Sequence, residues 1–109
     1  MNITKKSIDP ELRQDALKKI KATNKLDPNL ALIESHKVLV NSIKSMYKNK
    51  SLNAAKVLQR VAKNLKNEKE LWYYHRMRNR AAHEDDFKVS KSDAQKARQI
   101  FQKTLEAVK

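Results

Sequence analysis

The side chains best suited to chemistry lie together in residues 70–86, ELWYYHRMRNRAAHEDD. This segment contains the only Trp of the chain, two of its three His, and an acidic cluster at its end. Within it, Arg78, Asn79 and His83 place a permanent positive charge, an amide and an imidazole close together along the chain. A guanidinium in such a position suits an anion such as phosphate. If this chain carries out chemistry, we expect it here.

The composition indicates one all-α domain. The chain has 109 residues, which is close to the usual domain size, and it has no Gly, two Pro and 34% charged residues. Without Gly, the usual phosphate-binding loops and dinucleotide fingerprints are excluded. Without Cys, disulfides, thiolate zinc sites and Cys nucleophiles are excluded. We expect no metal and no cofactor.

The formal charge of +13 indicates a polyanionic partner. Residues 37–80 carry eight Lys and four Arg against two Glu, so the middle of the chain is the most basic part. Such a charge concentrates nucleic acid around a protein and accelerates its binding. The alternative is an ordinary solvated Lys-rich surface.

The chain shows no leader and no apolar run long enough for a bilayer, so we expect a cytoplasmic protein without membrane contact.

Five helices joined by short links are predicted. Residues 1–8 lack periodicity and are expected to form a flexible tail, and residues 9–109 are expected to form one helical-bundle domain. Asp-Pro pairs at 9–10 and 27–28 are strong helix starts, and Ser90 with Asp93 resembles a capping box. The predicted helices are 10–23, 28–48, 52–63 with Ser51 as N-cap, 68–82, and 91–108. Short links favour antiparallel neighbours and hence a compact bundle.

One histidine, His36, falls inside the apolar stripe of the second predicted helix. The stripe consists of Leu32, Leu39, Ile43 and Met46. The first interpretation is a core histidine with one hydrogen bond satisfied. A role in a functional site is the second interpretation.

Arg78 falls in the middle of the predicted apolar face of the fourth helix. At about 100° per residue that face comprises Leu71, Tyr74, Met77, Ala81 and Ala82. Burial of a guanidinium is costly unless a carboxylate, carbonyl groups or a bound anion meets it. Two interpretations follow: an ion pair with an acidic residue such as Asp86 or Asp93, or an Arg placed to face phosphate.

His75, Asn79 and His83 form a neighbouring row on the same helix, while Arg76 and Arg80 point toward solvent. A zinc site in this row is weakly supported, because its two histidines lie about 12 Å apart along a straight helix. Neither a Cys nor a third nearby His completes a tetrahedron. Taken alone, His83 also suits a helix C-terminus, where it interacts with the helix dipole.

The six residues 78–83, RNRAAH, resemble the signature of the HEPN superfamily (higher eukaryotes and prokaryotes nucleotide-binding domains). That signature is an Arg, four to six residues beginning with a polar one, and a His near the end of a bundle helix. Here the gap is four residues and the polar residue is Asn79. The longer string LWYYHRMRNRAAHEDDF, followed by an amphipathic helix, is similar to small bacterial HEPN-type proteins.

The resemblance implies a metal-independent endoribonuclease of toxin or defence type, usually dimeric, with two copies of the motif meeting at the interface. His83 would exchange protons with the ribose 2′-OH or the leaving 5′-oxygen, and Arg78 would stabilise charge on the phosphoryl oxygens. Asn79 would position His83 or the phosphate. Arg78 and His83 diverge by about 140° on an ideal helix, so a two-fold interface would bring them into one cleft. The expected partners are RNA, a second copy of the chain and an antitoxin protein.

Five basic side chains are expected to contact RNA around this motif: Lys63, Lys66, His75, Arg76 and Arg80. The alternative is a non-catalytic helical-bundle module that binds nucleic acid or a partner protein, in which Arg78 makes a structural ion pair. A DNA-binding helix-turn-helix is a third interpretation. The third and fourth helices are basic, but the link between them lacks the usual Gly-containing turn.

Overall fold

The computed structural model describes residues 7–48 and 51–108, and five α-helices account for most of them. They are α1 (Pro10–Ala22), α2 (Pro28–Lys44), α3 (Ala54–Ala62), α4 (Glu68–His83) and α5 (Lys91–Ala107), and a short 3-10 helix, Thr23–Lys25, extends α1. No strand occurs in the described residues. The prediction of an all-α helical bundle is therefore confirmed. Within the same residues no helix has the length and apolar character needed to cross a membrane.

The predicted helix starts at the two Asp-Pro pairs and at Ser90 are confirmed by capping hydrogen bonds. The Asp9 side chain accepts from the Glu11 amide, and the Asp27 side chain accepts from the amides of Asn29 and Leu30. Ser90 accepts from the Asp93 amide at 2.9 Å. Each cap satisfies amide groups that the first turn of a helix leaves without a partner.

The two ends of the link between α2 and α3 differ from the prediction. The N-cap of α3 is Asn53, which accepts from the Lys56 amide at 2.9 Å, and not Ser51. Helix α2 ends at Lys44, four residues before the predicted end at Lys48. Near this end the hydroxyl groups of Ser42 and Ser45 donate to backbone carbonyls, and such local bonds compete with helix continuation. Residues 49 and 50 lie outside the described residues.

Helix α2 is the centre of the bundle, because it packs against α1, α3, α4 and α5. The core consists of fully buried apolar side chains from all five helices, among them Ile20, Leu32, Leu39, Ile43, Leu58, Leu71, Phe101 and Leu105. Burial of each large side chain of this kind contributes about 1.5–3 kcal/mol. Most of the predicted tail lies outside the described residues; of its last two residues, Ser7 is exposed and Ile8 is buried in the core.

The chain leaving α4 is fixed to the first turn of α2 by one side chain, Asn29. Its Nδ2 donates to the Phe87 carbonyl and its Oδ1 accepts from the Val89 amide, both at 2.8 Å. The amide therefore satisfies one acceptor and one donor of the loop between α4 and α5. This pair of bonds fixes the loop that follows α4 against the first turn of α2.

Replacing Asn29 should destabilise the fold. Asn29→Ala removes two hydrogen bonds, and at about 1 kcal/mol each the free energy of unfolding should fall by about 2 kcal/mol. Asn29→Asp retains an acceptor for the Val89 amide but places a carboxylate against the Phe87 carbonyl, so it should also destabilise. Urea denaturation of the three proteins measures both changes. An Asn29→Ala variant as stable as the wild type would contradict this role.

Candidate functional site

Helix α4 positions the candidate residues by packing one face on the bundle core. Leu71, Tyr74 and Met77 are buried, as predicted from their spacing, whereas Ala81 is half-buried and Ala82 is exposed. The apolar face is therefore shorter than predicted, because the last turn of α4 extends beyond the core. At the other end, the Asn67 side chain donates to the Thr104 hydroxyl at 3.1 Å and connects the start of α4 to α5.

Arg78 is half-buried and is held by its neighbour in the chain. Its Nη1 donates to Asn79 Oδ1 at 2.9 Å. Its Nε is buried and has no hydrogen-bond partner among the described residues. An ion pair with Asp86 or Asp93, one of the two interpretations of Arg78, is not formed. Among the described residues the salt bridges join Lys19 to Asp15 and Arg80 to Glu84. The guanidinium thus has a fixed direction and an unused donor.

A pair of buried histidines joins α4 to α2. His36 and His75 are 1% and 6% exposed, and Nε2 of His36 lies 2.9 Å from Nδ1 of His75. Their rings stack with centroids 5.1 Å apart. On its other side, Nε2 of His75 lies 3.5 Å from Asn79 Nδ2. Polar contacts therefore run without interruption from Arg78 through Asn79 and His75 to His36; we call these four residues the α4–α2 polar chain.

The donors and acceptors of the α4–α2 polar chain follow from Arg78. A guanidinium only donates, so the Asn79 oxygen must accept from it and the Asn79 amide nitrogen must donate to His75 Nε2. His75 then carries its proton on Nδ1 and donates to His36 Nε2. Both histidines must be neutral, because a second ring proton on either would place two N–H donors opposite each other with no acceptor between them.

The electrostatic surroundings favour the same neutral forms. Burial, followed by the positive charge of Arg78 and the proximity of His75, lowers the pKa of His36 to about 3. Burial also lowers the pKa of His75, followed by the charges of Arg78 and Arg76. A nearby guanidinium and a low-dielectric environment both disfavour an imidazolium. The pair is therefore neutral at neutral pH, as the hydrogen bonds require.

His83 stands apart from the α4–α2 polar chain. It is the last residue of α4 and is exposed, and no hydrogen bond joins it to Arg78 or Asn79 in the described structure. A single copy of the chain therefore brings Arg78 and Asn79 together but does not bring His83 to them. This separation agrees with the large angle that the helical period gives between positions 78 and 83.

The basic side chains expected to contact RNA divide into two groups. Lys63, Lys66 and Arg76 are exposed. Arg80 is also exposed, but it pairs with Glu84 at 3.1 Å and its guanidinium lies over the Phe87 ring at 4.2 Å. His75 differs from the expectation, since it is buried and its two ring nitrogens face His36 and Asn79 instead of solvent.

Sequence reasoning did not find the pairing of His36 with His75. The apolar stripe around His36 indicated burial of that histidine, whereas His75 was predicted to contact RNA. No pattern in the sequence shows which two helices meet there. Among the described residues, no group of three or more His, Cys, Asp or Glu side chains is placed to hold a metal ion.

Acidification should destabilise the fold through His36. An unfolded histidine titrates near 6.5, whereas the pKa of folded His36 is about 3, so the unfolded chain binds more protons between these values. The contribution is complete above about pH 6.5 and decreases as the pH falls through this window. From about pH 7 to about pH 5, His36 alone should lower the free energy of unfolding by about 2 kcal/mol. Urea denaturation at both pH values measures this loss.

His36→Gln is the matched control for this titration. The Gln side chain can still accept a hydrogen bond from His75 but cannot titrate. Its stability should depend less on pH over the same interval, and only the smaller contribution of His75 should remain. Equal pH dependence in the variant and the wild type would contradict the assignment to His36.

Comparison of the chain with protein-family models, with curated proteins and with solved structures found no significant match. The HEPN resemblance therefore depends on residues 78–83 and on their helical setting alone.

Proposed function

We propose that this chain is a HEPN-like RNA-binding protein that acts as a metal-independent endoribonuclease through Arg78, Asn79 and His83. The contacts of the Arg78 guanidinium support this proposal best. Asn79 fixes its guanidinium, no carboxylate of the described residues neutralises it, and its buried Nε lacks a partner. A phosphate oxygen would supply the counter-charge. Arg78 is half-buried, so part of its side chain remains open to solvent.

His83 supplies the acid–base chemistry in this proposal. It is exposed at the end of α4, where a substrate can reach it. An imidazole takes the proton of a ribose 2′-OH, the 2′-oxygen attacks phosphorus, and the bond from phosphorus to the 5′-oxygen breaks. The leaving 5′-oxygen takes up a proton, and the other product carries a 2′,3′-cyclic phosphate. Arg78 stabilises the negative charge that develops on the phosphoryl oxygens.

A second copy of the chain completes the site. Arg78 and His83 do not meet within one chain, so the proposal places Arg78 of one protomer and His83 of the other in a common cleft at a two-fold axis. The exposed cations Lys63, Lys66 and Arg76 would guide the RNA backbone toward that cleft. An antitoxin protein that covers these cations is the partner expected for a nuclease of toxin type.

Cleavage should persist in EDTA and depend on His83. Loss of one acid–base group lowers rates about 10²- to 10⁴-fold, so His83→Ala should reduce RNA cleavage by that factor. His83 is exposed, so the variant should keep the wild-type melting temperature. Lys18→Ala, a truncation of an exposed side chain on α1, is the control for the loss of a surface side chain and should retain activity. Identical cleavage by wild type and His83→Ala, purified in parallel, would overturn the catalytic proposal.

Subunit complementation tests the shared cleft. Arg78→Ala and His83→Ala homodimers should each be inactive, but a mixed dimer has one cleft with both residues intact. Random exchange makes about half of the dimers mixed, so the mixture should recover about a quarter of the wild-type activity. A mixture no more active than its components, with subunit exchange demonstrated, would contradict a cleft built from two protomers.

A non-catalytic module is the alternative function. The α4–α2 polar chain favours it, because a residue that helps to join two helices can be retained for stability alone. This alternative predicts that the wild type binds RNA or a protein without cutting RNA, and that Arg78→Ala mainly lowers the melting temperature.

A further inference from the structure

An open groove on the outer side of α4 is the second notable surface of the molecule. Its volume is about 570 Å³, and it is lined by Lys69, Glu70, Trp72, Tyr73, Tyr74 and Arg76. This volume lies within the range of sites that accept small ligands. None of the three proposed catalytic residues lines it, whereas Arg76, one of the cations proposed to guide the RNA backbone, does.

Two aromatic rings, those of Trp72 and Tyr73, line the groove, and each packs against the ring of a buried residue. Tyr73 is 51% exposed, the highest exposure among the large apolar side chains of the described residues. Its ring packs edge-on against the buried Tyr74, with centroids 4.9 Å apart. The half-buried Trp72 packs edge-on against His75 at 5.4 Å. Rings fixed in this way lose little conformational entropy when a ligand binds.

The charge around the rings is mainly positive. Lys69 and Arg76 border the groove, against one carboxylate, Glu70. Arg76 lies two residues before Arg78, and Tyr73 lies about 8 Å from Arg78 along the helix axis. The two positions also differ by about 140° around the helix, so a strand whose phosphate meets Arg78 reaches the groove by passing round α4. Trp72 also contacts His75, so the groove borders the α4–α2 polar chain.

We infer that this groove is a stacking site for unpaired bases of single-stranded RNA, an inference that rests on the proposed function. Exposed aromatic rings flanked by cations are the usual means of binding single strands, because every base offers a flat face. In a duplex those faces are occupied by neighbouring bases, so the site selects single-stranded segments. Tyr73 and Trp72 would then position the substrate, and they are separate from the proposed catalytic residues.

The test compares two RNA ligands of equal length and charge on full-length His83→Ala protein, which should not cut them. One is oligoadenylate, and the other is an abasic oligoribonucleotide. Stacking contributes about 1–3 kcal/mol per base, so oligoadenylate should bind about tenfold more tightly or better. Binding of oligoadenylate, but not of the abasic strand, should also quench the fluorescence of Trp72, the only Trp in the chain.

Tyr73 variants in the same background give the sharper comparison. Tyr73→Ala should lose about tenfold in affinity for oligoadenylate and leave abasic binding unchanged, whereas Tyr73→Phe should bind like the parent. Unchanged oligoadenylate affinity in Tyr73→Ala, or equal binding of both ligands by the parent, would overturn the stacking site and leave the proposed function intact.

A parent protein that binds neither ligand would overturn both the stacking site and the proposed function. A Tyr73→Ala protein that changes from dimer to monomer would identify the groove as an interface between two copies, which also overturns the inference.

Discussion

A guanidinium cannot release its proton, and the fixed charge of Arg78 determines the hydrogen bonds that join α4 to α2. Asn79 must turn its oxygen toward Arg78 and its nitrogen toward His75, and each histidine must then be neutral with one defined ring proton. Burial favours the same neutral forms. One charged side chain thus fixes an amide orientation and two tautomers.

The candidate site and the core share the same helix and therefore the same packing. Leu71, Tyr74 and Met77 bury one face of α4, His75 extends that contact to His36 on α2, and the Asn29 hydrogen bonds fix the chain that leaves α4. Side chains on a rigid helix are positioned more precisely than side chains on a loop. The outer face of α4 remains for ligands, with the half-buried Arg78 toward one end and the exposed Tyr73 and half-buried Trp72 toward the other.

Much of this architecture could be predicted from local sequence rules. The Asp-Pro starts, the Ser90 cap and the apolar periods predicted five helices. The spacing of α4 predicted its buried apolar residues except near its end, but not the burial of His75. Arg78 was recognised as unusual because an arginine on an apolar face requires an acceptor. The pairing of His36 with His75 could not be predicted, because it depends on the relative rotation of two helices 39 positions apart in the chain. The early end of α2 was missed because serine hydroxyls compete with the helix through local bonds.

The proposed mechanism of RNA cleavage depends on what the Arg78 guanidinium binds. A crystal structure of the protein with a short RNA blocked by 2′-O-methyl groups would test this most directly, since such a strand can bind but cannot be cut at its 2′-oxygens. We predict a phosphate within hydrogen-bond distance of the Arg78 guanidinium, and His83 of a second protomer facing the same phosphodiester. An Arg78 side chain that pairs with a carboxylate of its own chain, with the RNA bound elsewhere or not at all, would contradict the account.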